Sequence, residues 1–166
     1  WSVLSTPDWS ARQAMAMEAV EAHLVRPDLG LIQLLAPPLV HAVPSAGYIQ
    51  AYPPGVRENG GQYTHAGVWA LMAAAALAVR QPAPRPGAAQ ATDTPYRYFT
   101  YLSAAHRASH PEWGRYYQIE PYVMAGDVYS QPPDAGRGGW SWYTGAAGWM
   151  PRAAVEALLG LHLGAE

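Results

Sequence analysis

Between Ser10 and Val25 the apolar residues Ala14, Met17, Val20 and Leu24 fall three or four positions apart, the spacing that lays one stripe along a helix. Asp8 or Ser10 precedes the pattern as a candidate cap, and Pro27 ends it. Residues Leu29 to Gly61 are rich in Pro and Gly and carry only short apolar runs, so they read as one long ordered loop. A loop of that length inside a compact domain is usually functional. From Ala66 to about Val79 apolar residues occupy every face, which predicts a helix buried on all sides and capped by Thr64. The Pro and Ala bias of Gln81 to Pro95 interrupts the helices and predicts a mobile surface insertion. A third helix is predicted over Tyr98 to Ser109, with Tyr98, Tyr101, Leu102 and Ala105 on one side. A second irregular stretch, Pro111 to Gly139, leads to a last helix from about Gly145 to Leu161. Alternation of period two shows only faintly, around Tyr116 to Met124.

Helices separated by long loops predict an all-α fold. An (α/α) barrel gathers such loops at one end around a pocket, whereas a four-helix bundle, the alternative, usually has short connections. Half of the 166 residues are hydrophobic, enough for one core. The chain opens on Trp1 without an initiator Met and stops just after an apolar helical pattern, so it reads as a segment of a larger protein.

Charge and composition narrow the functional classes. A net charge of -2 with no basic stripe argues against nucleic acid as a partner. The chain has no Cys, which excludes disulfides and thiolate chemistry and suits a reducing compartment. No signal-peptide order opens the chain, and the apolar run from Ala66 to Val79 falls short of the roughly 20 residues a membrane span needs. The expected location is cytoplasmic, with anchoring of a parent protein in the bacterial inner membrane left open. Eleven Tyr and seven Trp stand against a single Phe. Tyr and Trp combine a flat apolar face with a hydrogen-bonding edge, which suits sugar rings as well as helix interfaces.

The chemistry-bearing residues concentrate in three irregular segments. The first runs from Gly47 to His65 and contains Pro53-Pro54-Gly55-Val56-Arg57-Glu58-Asn59-Gly60-Gly61-Gln62-Tyr63-Thr64-His65. Arg57 can donate to sugar hydroxyls and Glu58 can accept from them, or the two can pair to anchor the loop. His65, at the start of the buried helix, can donate to an anion or sit as a satisfied core histidine. The second segment is Tyr117-Gln118-Ile119-Glu120-Pro121-Tyr122-Val123. The third, from Gly136 to Met150, contains Gly-Arg-Gly-Gly-Trp-Ser-Trp-Tyr ahead of Thr144-Gly145. A helix opening at Thr144-Gly145 offers backbone N–H groups, the helix dipole and a hydroxyl to a phosphate, and is equally well explained by Thr144 as an N-cap.

Taken together and in this order, the three segments resemble glycoside hydrolase family 94, which includes cellobiose and chitobiose phosphorylases. The wording of the first segment is most similar to the cyclic β-1,2-glucan synthase branch. The resemblance implies that residues 1–166 are the C-terminal portion of a catalytic domain, a partial (α/α)6 barrel with long functional loops. It implies an inverting phosphorylase that cleaves β-glucosidic linkages with inorganic phosphate as co-substrate, giving α-glucose 1-phosphate without a metal or organic cofactor. It also implies that His65, Thr144 and Gly145 contact phosphate, that Arg57 and Glu58 lie at the acceptor sugar, and that Glu120 lines the same pocket. The expected partners are then a β-glucan or β-linked oligosaccharide, phosphate and the remainder of the parent barrel. The family's acid is an Asp in an Asp-Trp-Asn-Asp type segment, which Asp8-Trp9-Ser10-Ala11 does not match, so the acid is expected upstream. Asp134, where the family pattern has His, and Pro151, inside the last helix, also depart. A degenerate, non-catalytic carbohydrate-binding or structural remnant is the alternative reading.

Overall fold

The computed structural model describes residues 1–80 and 93–164, and they form a helix-rich unit. Helix α1, Ala11–His23, starts where the side chain of Ser10 accepts the N–H of Gln13 while the Gln13 side chain accepts the N–H of Ser10. This reciprocal arrangement satisfies two donors that the helix cannot satisfy itself. It assigns the cap to Ser10 rather than Asp8. The predicted stripe of Ala14, Met17, Val20 and Leu24 is the half-buried side.

Helix α3, Thr64–Arg80, is the axis of the core, and most of its length is enclosed, as its apolar composition predicts. Its last turn emerges, with Val79 84 % exposed. Val68 and Leu71 pack with Tyr98, Tyr101, Leu102, Met150 and Ala153. Each such fully buried side chain contributes roughly 1.5–3 kcal/mol. Gly67 allows the closest approach, since a Cβ there would lie 2.6 Å from Leu102. Thr64 does not cap this helix. It forms the first residue, its N–H donates to the Gly126 carbonyl at 3.0 Å, and its buried hydroxyl has no partner among the described residues.

The single helix predicted over Tyr98 to Ser109 is two. Helix α4, Thr94–Leu102, ends at Ser103, whose extended backbone (ψ 122°) turns the chain before α5, Ala104–Ser109. The Ser103 side chain then accepts the N–H of His106, so one residue closes the first helix and caps the second. This corner resets the helical phase, which is why Ala104 is buried and Ala105 is exposed. Most of the predicted insertion, residues 81–92, lies outside the described residues, while Thr94 and Pro95 already belong to α4.

The long loops hold two further single turns, α2 (Tyr48–Ala51) and α6 (Gly114–Tyr117). The last helix, α7, spans Thr144–Arg152 and passes into a π-helical turn, Ala153–Leu158, so it does not reach Leu161 as one regular helix. Pro151 lies inside α7, where it lacks an N–H and its ring crowds the preceding turn. The widened turn follows directly behind it.

Short strands qualify the all-α expectation. Strands β1 (Val25–Arg26) and β2 (Leu31–Ile32) form a hairpin, and β3 (Gln62–Tyr63), β4 (Asp127–Val128) and β5 (Gly138–Gly139) form a sheet in that order, all pairs antiparallel. None lies in the Tyr116–Met124 stretch where alternation was faintly visible. Two-residue strands are too short to show a period in sequence.

A buried cation joins the hairpin to the helices. Arg107 of α5 is fully buried, with no carboxylate partner among the described residues. Its guanidinium donates to the carbonyls of Gly30, Tyr101 and Leu29, and it lies over the rings of Trp113 and Tyr117 at 5.5 and 5.4 Å. Burial lowers its pKa to about 10, which leaves it charged at neutral pH. Arg107→Met keeps much of the stem but removes the guanidinium donor from the Gly30 and Leu29 carbonyls and leaves Tyr101 only the longer bond from Gln62. It should lower unfolding free energy by about 3 kcal/mol, with Arg107→Lys intermediate because one ammonium cannot reproduce the planar fork. Urea denaturation of the chain measures this, and equal midpoints for all three proteins would show that the carbonyls find other donors.

Candidate active site

Strand β4 joins segments that are far apart in sequence. Gln62 pairs with Val128 and Tyr63 with Asp127 on one side, while Asp127 pairs with Gly139 and Val128 with Gly138 on the other. Backbone bonds extend the arrangement: Gly126 N–H to the Trp140 carbonyl at 2.7 Å, and Tyr143 N–H to the Met124 carbonyl at 3.0 Å. The first and third chemistry-bearing segments are thereby held side by side, and the second leads into the strand between them.

The Gly55–Gly61 loop is built around Asn59, which is fully buried. Its amide accepts from the Leu39 N–H at 2.6 Å and donates to the carbonyls of Leu39 and Tyr52. Within this loop Arg57 adopts a left-handed backbone (φ 49°), and its N–H donates to the Asp127 carboxylate at 2.7 Å. Its guanidinium lies 4.1 Å from the ring centre of Trp140, itself left-handed (φ 40°) and 63 % exposed. Arg57 and Glu58 do not form the anchoring ion pair that their adjacency allowed. The arginine stacks on Trp140 and Tyr52, and Glu58 Oε2 is buried without a hydrogen bond among the described residues.

His65, one residue into α3, packs edge-on against Trp69 at 4.4 Å and faces Trp149 at 6.2 Å. Its Nε2 is buried and has no partner among the described residues, so it is not a satisfied core histidine. Gly145 lies directly against it, and a Cβ there would come within 3.3 Å of His65 Nδ1. Thr144 is the first residue of α7 rather than its cap. The cap position belongs to Tyr143, and no side chain caps the helix. The first turn therefore presents its N–H groups beside the imidazole. His65, Thr144 and Gly145 thus come together at one corner.

Glu120 lies in the second segment. It opens a turn in which the Val123 N–H approaches its carbonyl, and its charge is felt by the Tyr117 phenol. That phenol is pushed up to about 12, chiefly by burial. Among the described residues no hydrogen bond or ion pair joins the Glu120 carboxylate to Arg57, Glu58 or His65. Asp134 pairs loosely with Arg137 at 3.7 Å on an exposed turn.

Residues 1–160 match the family described as the glycosyl hydrolase 94 superfamily, catalytic domain. The chain belongs to this family. It is 44 % identical over 162 residues to the cyclic beta-(1,2)-glucan synthase NdvB of Rhizobium meliloti (strain 1021), covering 98 % of the chain and 5 % of that protein. It is 31 % identical over 166 residues to the solabiose phosphorylase of Paenibacillus borealis, covering 99 % of the chain and 19 % of that protein. The chain therefore spans a small part of the length of both relatives. Among the described residues no helix is long and apolar enough to cross a membrane, and no group of three or more His, Asp or Glu is arranged to hold a metal.

Four further side chains adjoin these candidate residues. Trp140 carries the Arg57 guanidinium, and Tyr63 and Tyr143 bring their hydroxyls to 2.6 Å of each other. Asp127, buried in the middle strand, holds the Arg57 backbone. The sequence signal for Trp140 and Tyr143 was their place inside the Gly-Arg-Gly-Gly-Trp-Ser-Trp-Tyr run. For Tyr63 it was adjacency to Thr64-His65.

Burial raises the pKa of Asp127, the Arg57 N–H and charge pull it back, and the Glu58 charge raises it further. The folded protein consequently keeps this proton at pH values where the unfolded chain has released it. Stability falls as pH rises from the ordinary Asp value, about 3.9, through the raised folded value. Asp127→Asn still offers an acceptor to the Arg57 N–H and lacks the ionisation. The melting temperature of the native chain, relative to this variant, should decline with pH across that window. A difference independent of pH would mean that Asp127 ionises as readily in the folded as in the unfolded chain.

Proposed function

We propose that this chain supplies the phosphate-binding and acceptor-sugar side of an inverting glycoside phosphorylase built on an (α/α)6 barrel, of which these helices are a part. The observation that carries this reading is the corner formed by Gly145, the uncapped start of α7 and the His65 ring, whose Nδ1 faces Gly145 and whose Nε2 has no partner among the described residues. An anion there gains the His65 N–H, the first N–H groups of α7 and the Thr144 hydroxyl, with the helix dipole favouring negative charge. On the neighbouring side Glu58 offers a buried carboxylate oxygen and Arg57 a stacked guanidinium, a matched acceptor and donor for sugar hydroxyls. Exposed Trp140 and Trp142 add flat apolar faces suited to pyranose rings. Glu120 is placed in this reading at the edge of the sugar site.

In the proposed reaction a phosphate oxygen attacks the anomeric carbon from the face opposite the leaving group. The new C–O bond forms as the glycosidic bond breaks, a carboxylic acid gives its proton to the leaving oxygen, and α-glucose 1-phosphate is released. Phosphate takes the place of the water that an inverting hydrolase activates with a second carboxylate. Residues 1–166 would orient the nucleophile, with the acid supplied by another part of the barrel. The 44 % likeness to a cyclic beta-(1,2)-glucan synthase favours a β-glucosidic substrate, and β-1,2-glucan among these. Inorganic phosphate is the co-substrate, and the reaction as written uses no organic cofactor or metal.

Kinetics of the full-length enzyme that carries this chain test the assignment. His65→Ala and Thr144→Val should each reduce the rate over phosphate affinity about ten- to hundredfold, the range for losing a hydrogen bond to a charged ligand. Glu58→Gln should weaken acceptor use in the synthetic direction with a smaller effect on phosphate. Phosphate and acceptor are varied separately, in both directions. An unchanged phosphate dependence combined with a lower melting temperature would make His65 and Thr144 structural.

A further inference from the structure

Tyr63 and Tyr143 come from opposite ends of the chain's site, one on β3 and the other at the start of α7, and their phenol oxygens meet at 2.6 Å. At that distance one hydroxyl donates to the other. The pair holds two protons and only one lies between the oxygens, so the accepting phenol keeps an O–H to give elsewhere. The donating phenol keeps lone pairs. Among the described residues neither hydroxyl has a second hydrogen bond.

The surroundings of the two ends differ. Tyr63 feels the charges of both Arg57 and Glu58, the residues read as facing the acceptor sugar. Tyr143 lies on the phosphate side, its ring edge 3.4 Å from where a Gly145 Cβ would stand, next to His65 Nδ1 at 3.3 Å from the same point. The rings cross at 69° with centres 6.0 Å apart, so each is fixed by the other and by its own backbone. Burial and the mutual bond hold the Tyr63 phenol above its ordinary pKa, so it stays a neutral donor.

Resting on the phosphorylase reading above, we propose that Tyr63 and Tyr143 form a hydrogen-bonded chain between the two ligands. A hydroxyl of the acceptor sugar donates to the Tyr63 oxygen, the Tyr63 O–H donates to Tyr143, and the Tyr143 O–H donates to a phosphate oxygen. No proton changes owner. The sense of the chain is set by an unprotonated oxygen of the phosphate dianion, which can only accept, and a sugar without a hydroxyl at that position leaves Tyr63 unsupplied. Hydrogen bonds in series polarise one another, so filling one end strengthens binding at the other. The pair therefore serves specificity for the acceptor as well as affinity for phosphate.

The test is a double-mutant cycle with Tyr63→Phe, Tyr143→Phe and the double variant in the full-length enzyme, measuring KM for phosphate and for acceptor sugar separately from kcat. Phe keeps the ring packing, and circular dichroism with melting temperature verifies folding. Tyr143→Phe should raise KM for phosphate about tenfold, as for loss of one bond to a charged ligand. Tyr63→Phe should raise KM for the acceptor several-fold and also raise KM for phosphate, and the double variant should lose less than the product of the two single effects. Additive effects, or unchanged KM values with only a lower melting temperature, would overturn the chain and leave the tyrosines a packing contact. His65→Ala run in the same assay separates the two levels. If it alters phosphate use while the tyrosine variants do not, the chain alone fails. If it leaves phosphate use unchanged, the phosphate corner itself is misplaced and the chain falls with it.

Discussion

Asp127 and Val128 pair on both sides at once, with Gln62 and Tyr63 on one flank and Gly138 and Gly139 on the other, and the placement of every candidate site residue except Glu120 follows from that. The partners are some 65 residues before and about ten after the central strand in the chain. Closing the longer of these loops costs conformational entropy, yet the cost grows only slowly with length. It is offset by the hydrophobic contacts of α3 with α4 and α7. The helices thus provide most of the cohesion, and the small sheet provides the registration: shift it by one residue and Tyr63, Asp127 and Gly139 exchange faces.

The buried polar groups of the chain are not paired to the same extent. Arg107 donates through both terminal nitrogens to carbonyls of the β1–β2 turn and of α4 and lies over two aromatic faces, while its Nε has no partner among the described residues. Glu58 Oε2 and His65 Nε2 are buried with their hydrogen-bonding capacity unused among the described residues. Buried polar atoms are normally paired, so a cluster that is not marks where the fold has given up stability. Arg107 keeps two of its three guanidinium nitrogens bonded, whereas Glu58 Oε2 and His65 Nε2 belong to the candidate site residues.

Periodic features were legible in the sequence and non-periodic ones were not. The stripe of α1 and the enclosed α3 were visible because a helical face repeats over many turns. The corner at Ser103 was not, because an extended Ser between two apolar turns differs from a helical Ser only in its backbone. The three chemistry-bearing segments were found from their density of Gly, charge and aromatics, and family likeness then assigned His65, Thr144 and Gly145, which the structure brings together. For Arg57 and Glu58 the sequence left two readings open, contacts to sugar hydroxyls or a mutual ion pair; the ion pair does not form, and the guanidinium lies over Trp140. Tyr63, Tyr143 and Asp127 acquire their roles only from pairing across the sheet, which no local pattern encodes. Glu120 was grouped with the others by motif, and its surroundings are those of Tyr117.

The left-handed residues Arg57, Trp140 and Trp142 bear on how this sequence is free to drift. Glycine adopts such a backbone at no steric cost, so replacing any of the three relieves local strain. At Arg57 and Trp140 the same replacement removes one half of the cation–aromatic stack proposed to face the sugar. A search for heat-resistant variants that rewards stability alone will therefore be drawn to these positions, and each gain there will be taken from the site.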